Sequence, residues 1–141
     1  MDDDLAMGRW RAQVASATRG KRGQKMLTDL LAALDAMPDK ALIVGELEQF
    51  DADAGCLNVC ALGALGHARG IDMQNLDPSE PEQVAAAFDI APQLAEEIVY
   101  MNDEYFDFEY VGNVRTDITP EKRWEKMREW VAKQITPEIP A

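Results

Sequence analysis

Gly55-Cys56-Leu57-Asn58-Val59-Cys60-Ala61-Leu62-Gly63-Ala64-Leu65-Gly66-His67-Ala68-Arg69-Gly70 is the stretch on which the fold turns. It carries no charge before Arg69 and holds both cysteines and the single histidine of the chain. Leu57, Val59, Leu62 and Leu65 alternate with Ala61, Gly63, Ala64 and Gly66. Small residues spaced this way let two backbones approach closely, while each helical glycine costs roughly 1 kcal/mol relative to alanine. Such a segment keeps its shape only when tertiary packing overrides its own propensity. The pattern predicts a buried helix over about Ala61–Ala68, stopped by Gly70.

Outward from this centre, two segments have clear helical period. Met26, Leu27, Leu30, Leu31 and Leu34 share one face of a helix over about Gln24–Met37, closed by Pro38. Thr119 is a good N-cap for a last helix, with Pro120 at its first position and Trp124, Met127, Val131 and Ile135 on its apolar face. A first helix over about Leu5–Thr18 has a thinner stripe of Leu5, Trp10, Val14 and Ala17. Short helices are expected over Glu82–Phe88 and from Ala91 to about Asn102. Residues 41–50 read either as a short strand pairing back with Leu57-Asn58-Val59 through the turn at 51–55 or as a helical continuation, since Leu42-Ile43-Val44 is too short to read by period and Glu46 and Glu48 alternate with Leu47 and Phe50 only in part. The expected fold is mainly α: a single domain over residues 1–141, a bundle of about five or six helices, with a short β-hairpin near residues 42–60 as an added element.

Composition bounds the class. A chain of 141 residues with 47% apolar side chains supports one real core. Two cysteines do not make a disulfide scaffold, and no apolar run nears a membrane span. The acidic start, Asp2-Asp3-Asp4, is unlike a secretory signal, and a cytoplasmic location is expected.

Charge is the strongest functional signal. The net charge is −12, yet residues 41–110 hold 15 acids against one base, Arg69, a net of −14. The flanking regions are nearly balanced. A field of one sign repels nucleic acid and anionic membranes and steers basic partners. Within this region, Asp103-Glu104-Tyr105-Phe106-Asp107-Phe108-Glu109-Tyr110 alternates acids with aromatics. Carboxylates mimic phosphate charge, and aromatic rings offer anchoring area at an interface. The candidate partner-binding residues are therefore Asp103, Glu104, Tyr105, Phe106, Asp107, Phe108, Glu109 and Tyr110, together with Glu46, Glu48, Asp51 and Asp53. The contrasting reading is a loop or edge strand with Phe106 and Phe108 buried and the acids solvated.

Other motifs point less far. Asp51-x-Asp53-x-Gly55 begins like a calcium loop, but Gly55, Cys56 and Leu62 stand where oxygen ligand, glycine and glutamate are needed. Cys56, Cys60 and His67 would share one face of a continuous helix, a spacing that suits zinc or a thiol nucleophile. Their apolar neighbours suit buried structural thiols instead, so no catalytic residue, metal or cofactor is assigned. Arg19-Gly20-Lys21-Arg22-Gly23 breaks the helical period and reads as a basic turn, either anion-binding or closing a helix C-terminus. The helix pair at 82–102 carries Glu96 and Glu97 and no base, against a DNA-reading role.

The combination RGKRGQ (19–24), CALGALGxxRG (60–70), MNDE (101–104) and TPEKRWEKMREWV (119–131) resembles small proteins of bacteriophages and prophages. That resemblance implies a context in which small acidic proteins inhibit host machinery, as anti-CRISPR proteins and nucleic-acid mimics do. The function expected is an inhibitor or modulator that engages a basic, nucleic-acid-handling protein, without direct contact to nucleic acid or membrane. The alternatives are a structural or regulatory module whose acidity serves solubility, including a homodimer, and a Cys/His metal-site protein.

Overall fold

The leucine stripe of residues 26–34 and the Thr119-capped helix pack directly against each other in the structure, a computed structural model that describes residues 2–136. In chain order the helices are α1 (Asp2–Arg19), α2 (Lys21–Ala36), α3 (Ala61–Arg69), α4 (Pro81–Phe88), α5 (Pro92–Tyr100) and α6 (Pro120–Gln134). A π-helical turn, Met101–Tyr105, continues α5. Two antiparallel hairpins interrupt the helices: β1 (Glu48–Asp51) with β2 (Cys56–Val59), and β3 (Phe108–Val111) with β4 (Val114–Asp117). The fold is mainly α with two short hairpins, not a pure bundle.

The core is one cluster. Leu27, Leu30 and Leu34 of α2 meet Leu62 and Leu65 of α3, Leu94 and Ile98 of α5, and Met127 and Val131 of α6. The glycine-rich stretch sits at its centre: residues 61–66 are all buried. A Cβ on Gly63 would lie 1.8 Å from the Leu47 carbonyl oxygen, so glycine there lets α3 lie against the segment leading into β1. Gly70 caps α3 in the left-handed region, where the sequence places its end.

Of the two readings of residues 41–50 the structure takes the hairpin: its first strand is residues 48–51, so that Phe50 pairs with Leu57 and Glu48 with Val59. Leu42 and Ile43 instead donate single backbone bonds to Pro120 and Val59, which leaves 41–47 irregular. The basic turn at 19–23 shrinks to Gly20 alone, because Lys21 and Arg22 already lie in the first turn of α2. Arg22 there pairs with Asp89 at 3.3 Å.

Candidate functional site

α6 organises the acid–aromatic segment through a residue to which sequence reasoning assigned no role. Arg123 is buried, and its guanidinium donates to the carbonyl oxygens of Asn102 (3.1 Å) and Phe106. Burial pulls its pKa below the ordinary arginine value, and the charges of Asp107 and Asp103 act in the opposite direction. Both bonds leave the same nitrogen, Nη1, whose two N–H groups serve one carbonyl each. Asn102, 1% exposed, completes the hub. Its Oδ1 accepts from the Ala61 N–H at 3.1 Å, and its Nδ2 donates to the Ile43 carbonyl (2.9 Å) and to Asp103 Oδ1 (2.7 Å). Asp103 Oδ2 then accepts from Gly45 N–H at 3.2 Å. The π turn, the start of α3 and the 43–45 segment are thus tied into one rigid unit.

Around that unit lie two adjoining grooves of about 460 and 360 Å³ that share Gly45, Asp77 and Pro78. Together they form a trough lined by the carboxylates of Glu46, Glu48, Asp77, Glu96, Asp103 and Glu104. Among the described residues lining it there is no Lys, Arg or His. Leu47, Met73, Leu76, Pro81, Val99 and Tyr100 provide its apolar surface. Chemically, it offers closely grouped negative charge over an apolar floor, a complement to long basic side chains that carry aliphatic stems.

The twelve candidate residues do not all converge there. Glu46, Glu48, Asp103 and Glu104 line the trough, and Asp77, from the connection before α4, and Glu96, on α5, join them. Asp51 is spent on its own turn, its Oδ1 accepting from the N–H groups of Asp53 (3.0 Å) and Ala54 (3.2 Å), with Asp53 exposed beside it. Tyr105 is exposed and stacks edge-on with Phe106, which packs against the core. Phe108 and Tyr110 lie on one face of β3, 41% and 66% exposed, with ring centroids 5.8 Å apart. Neither burial of Phe108 nor a single acid–aromatic patch describes this segment. Glu109 turns toward α6 and lies 3.9 Å from Lys126 Nζ, and Asp107 is exposed near Arg123.

A second groove, of about 910 Å³, runs between α1, α5 and α6 and is lined by Trp10, Val14, Tyr100, Met101 and Tyr105. Its charge is mixed, since Arg11, Arg19 and Lys133 share the lining with Glu96 and Glu97. Burial, reinforced by Glu96, raises the Glu97 pKa.

The thiols do not share a helix face. Cys56 lies on β2, Cys60 is the N-cap of α3, and only His67 is within the helix, 3.2 Å from Glu48 Oε2. Cys60 Sγ accepts from Gly63 N–H at 3.4 Å, and burial pushes its pKa up to about 12. Among the described residues no group of three His, Cys, Asp or Glu side chains is placed to hold a metal ion. Because the thiolate is the reactive form, iodoacetamide at pH 8 should label half-buried Cys56 at least tenfold faster than Cys60 in the native state. Peptide mass spectrometry checks this, and equal labelling would show that Cys60 is accessible.

Among the described residues no helix is long and apolar enough to cross a membrane. No protein-family model, curated protein or solved structure matches the chain.

Proposed function

We propose that the protein is a non-enzymatic binding protein that captures a Lys/Arg-rich segment of a nucleic-acid-handling protein and competes with nucleic acid for it. The observation that carries this reading is the trough lined without Lys or Arg, where three chain segments bring carboxylates together on a hydrogen-bonded frame. Preorganised negative charge accelerates encounter with a basic partner and selects against anionic ones. Tyr100 and the prolines give the partner's aliphatic stems a surface to lie on. The resemblance to phage proteins supplies a setting in the cytoplasm of a host, where displacing nucleic acid from a basic protein inhibits it.

The test uses the full chain and a fluorescent Arg-rich peptide in an anisotropy titration at several salt concentrations. Neutralising Glu46, Glu48, Glu96 and Glu104 together (to Gln) should weaken binding about tenfold at low salt, since exposed ion pairs are worth about 0.2–1 kcal/mol each; Asp77 is left intact because its Oδ1 accepts from Ser79 N–H and Oγ. The slope of affinity against salt should flatten as well. Asp103 is left intact because it holds Gly45. Unchanged affinity and slope, with the helical circular dichroism retained, would leave acidity as a solubility feature.

A further inference from the structure

The β3–β4 hairpin ends in a two-residue loop, Gly112-Asn113, with Gly112 at φ +64 and Val111 opposite Val114. A positive φ at the first loop position alone is the type II′ pattern, which closes on a hydrogen-bonded pair. Pairs then alternate along the ladder: Glu109 with Thr116 is bonded, whereas Tyr110 with Arg115 and Phe108 with Asp117 are not. The bond from Ile118 N–H to the Asp107 carbonyl, 3.0 Å, keeps the same alternation one step further. The backbone groups of Arg115 and Asp117 therefore point outward from β4, whose four residues are all exposed. Among the described residues β4 pairs with β3 alone, which leaves this edge open.

We propose that β4 pairs antiparallel with β4 of a second copy of the chain, about a two-fold axis at Thr116, to form a four-stranded sheet. In this register Arg115 stands directly opposite Asp117 of the other copy, and Asp117 opposite its Arg115, both as hydrogen-bonded pairs. Thr116 faces Thr116 across the axis. Opposite charges and Thr–Thr pairs at facing positions both stabilise antiparallel strands. The contact is isologous, so each favourable pair occurs twice. Charge also decides against the outer edges of β3 and β1. Self-pairing of β3 through its own outward groups would set Glu109 against Glu109, and β1 carries Glu48 and Asp51 with no base. Arg115 is already held over the Phe108 ring, 4.0 Å from its centroid, which reduces the side-chain freedom lost on pairing. Phe108 and Tyr110 lie on the same face as Arg115 and would extend one aromatic layer across the joined sheet.

Sedimentation velocity of the full chain over a wide concentration range should show a monomer–dimer equilibrium. Arg115→Asp and Asp117→Arg should each raise the dissociation constant about tenfold or more, because like charges then face each other. The double exchange, Arg115→Asp with Asp117→Arg, should restore it to within about threefold. Thr116→Cys in a Cys56→Ser background should form an interchain disulfide on oxidation, facing non-bonded pairs being about 4.5 Å apart between Cα atoms. A chain monomeric at millimolar concentration would overturn the pairing. So would a dimer indifferent to both single changes, a double exchange that does not restore it, or a Thr116→Cys chain that forms no cross-link.

Discussion

Gly63→Ala is expected to destabilise the domain by about 3 kcal/mol or more, at the upper end of what overpacking a core costs. The added Cβ would meet the Leu47 carbonyl oxygen at 1.8 Å and the Val59 side chain at 3.0 Å. The first neighbour is backbone, so no rotamer change relieves the clash; α3 and the entry to β1 must separate. That opening would also stretch the bond from Cys60 N–H to the same Leu47 carbonyl. Gly8→Ala is the matched control, since Gly8 lies on α1 with nothing within 4 Å and alanine is the better helix former. Urea denaturation of both variants checks the expectation. A loss below about 0.5 kcal/mol at Gly63, an ordinary surface effect, would show that the two segments do not touch as described.

Arg123→Met should cost about 3 kcal/mol or more, and the loss should be concentrated in residues 101–118. The substitution keeps an apolar stem but leaves the Asn102 and Phe106 carbonyls without their donor. Bonds to a charged group contribute about 1.5–3 kcal/mol each, and an orphaned buried acceptor adds its desolvation penalty. Arg123→Lys should recover only part, because its ammonium falls one bond short of the Nη1 that makes both contacts and is the more strongly hydrated cation. Hydrogen exchange read by mass spectrometry distinguishes this from general loosening. Amides of the π turn and of Ile118 should exchange faster well before those of Leu30 in α2. Unchanged protection across 101–118 would show that Arg123 does not hold the segment.

How far the sequence reached depends on whether the deciding interaction was local. α2 and α6 were legible because their apolar residues recur at helical spacing and their ends carry Pro38 and the Thr119-Pro120 pair, all within a few residues of one another. Thr119 does cap α6, accepting from Lys122 N–H at 3.1 Å. α3 was legible through composition: a glycine-weakened segment can only be a helix if something buries it. The hairpin was legible from the turn at Asp51–Gly55, but not the bounds of its first strand, because Leu42-Ile43-Val44 is too short to show a period and residues 46–50 alternate only in part. The β3–β4 hairpin had a local signal in Gly112-Asn113 between two short runs, but the exposed Val-Arg-Thr-Asp of β4 has no buried face to announce it.

The trough was half legible. Glu46, Glu48, Asp103 and Glu104 stand in the acidic runs, whereas Asp77 reaches the same groove from the connection before α4 and Glu96 from the helix that the π turn continues. Arg123 could not be read at all. It sits in a helix rich in Lys and Glu, where one more base looks like surface, and only the carbonyls of Asn102 and Phe106, distant in sequence, make it an interior residue.

The position of α6 bears on the order in which the chain can assemble. Trp124 donates to the Leu34 carbonyl at 3.0 Å, Gln24 donates to the Gln134 carbonyl at 2.9 Å, and Arg123 ties down the acidic segment between them. The last of these helices to be made is thus the one that closes both the core of the second helix and the frame of the trough. During synthesis the residues before it leave the ribosome with the part of α2's leucine face that meets Met127 and Val131 uncovered and the π turn without its central donor. Chain elongation runs at about 5–20 residues per second, far slower than helix formation, so early helices form and wait. Folding of the whole and completion of the acidic surface become one late event, and a nascent chain stopped short of α6 presents apolar surface in place of an ordered trough.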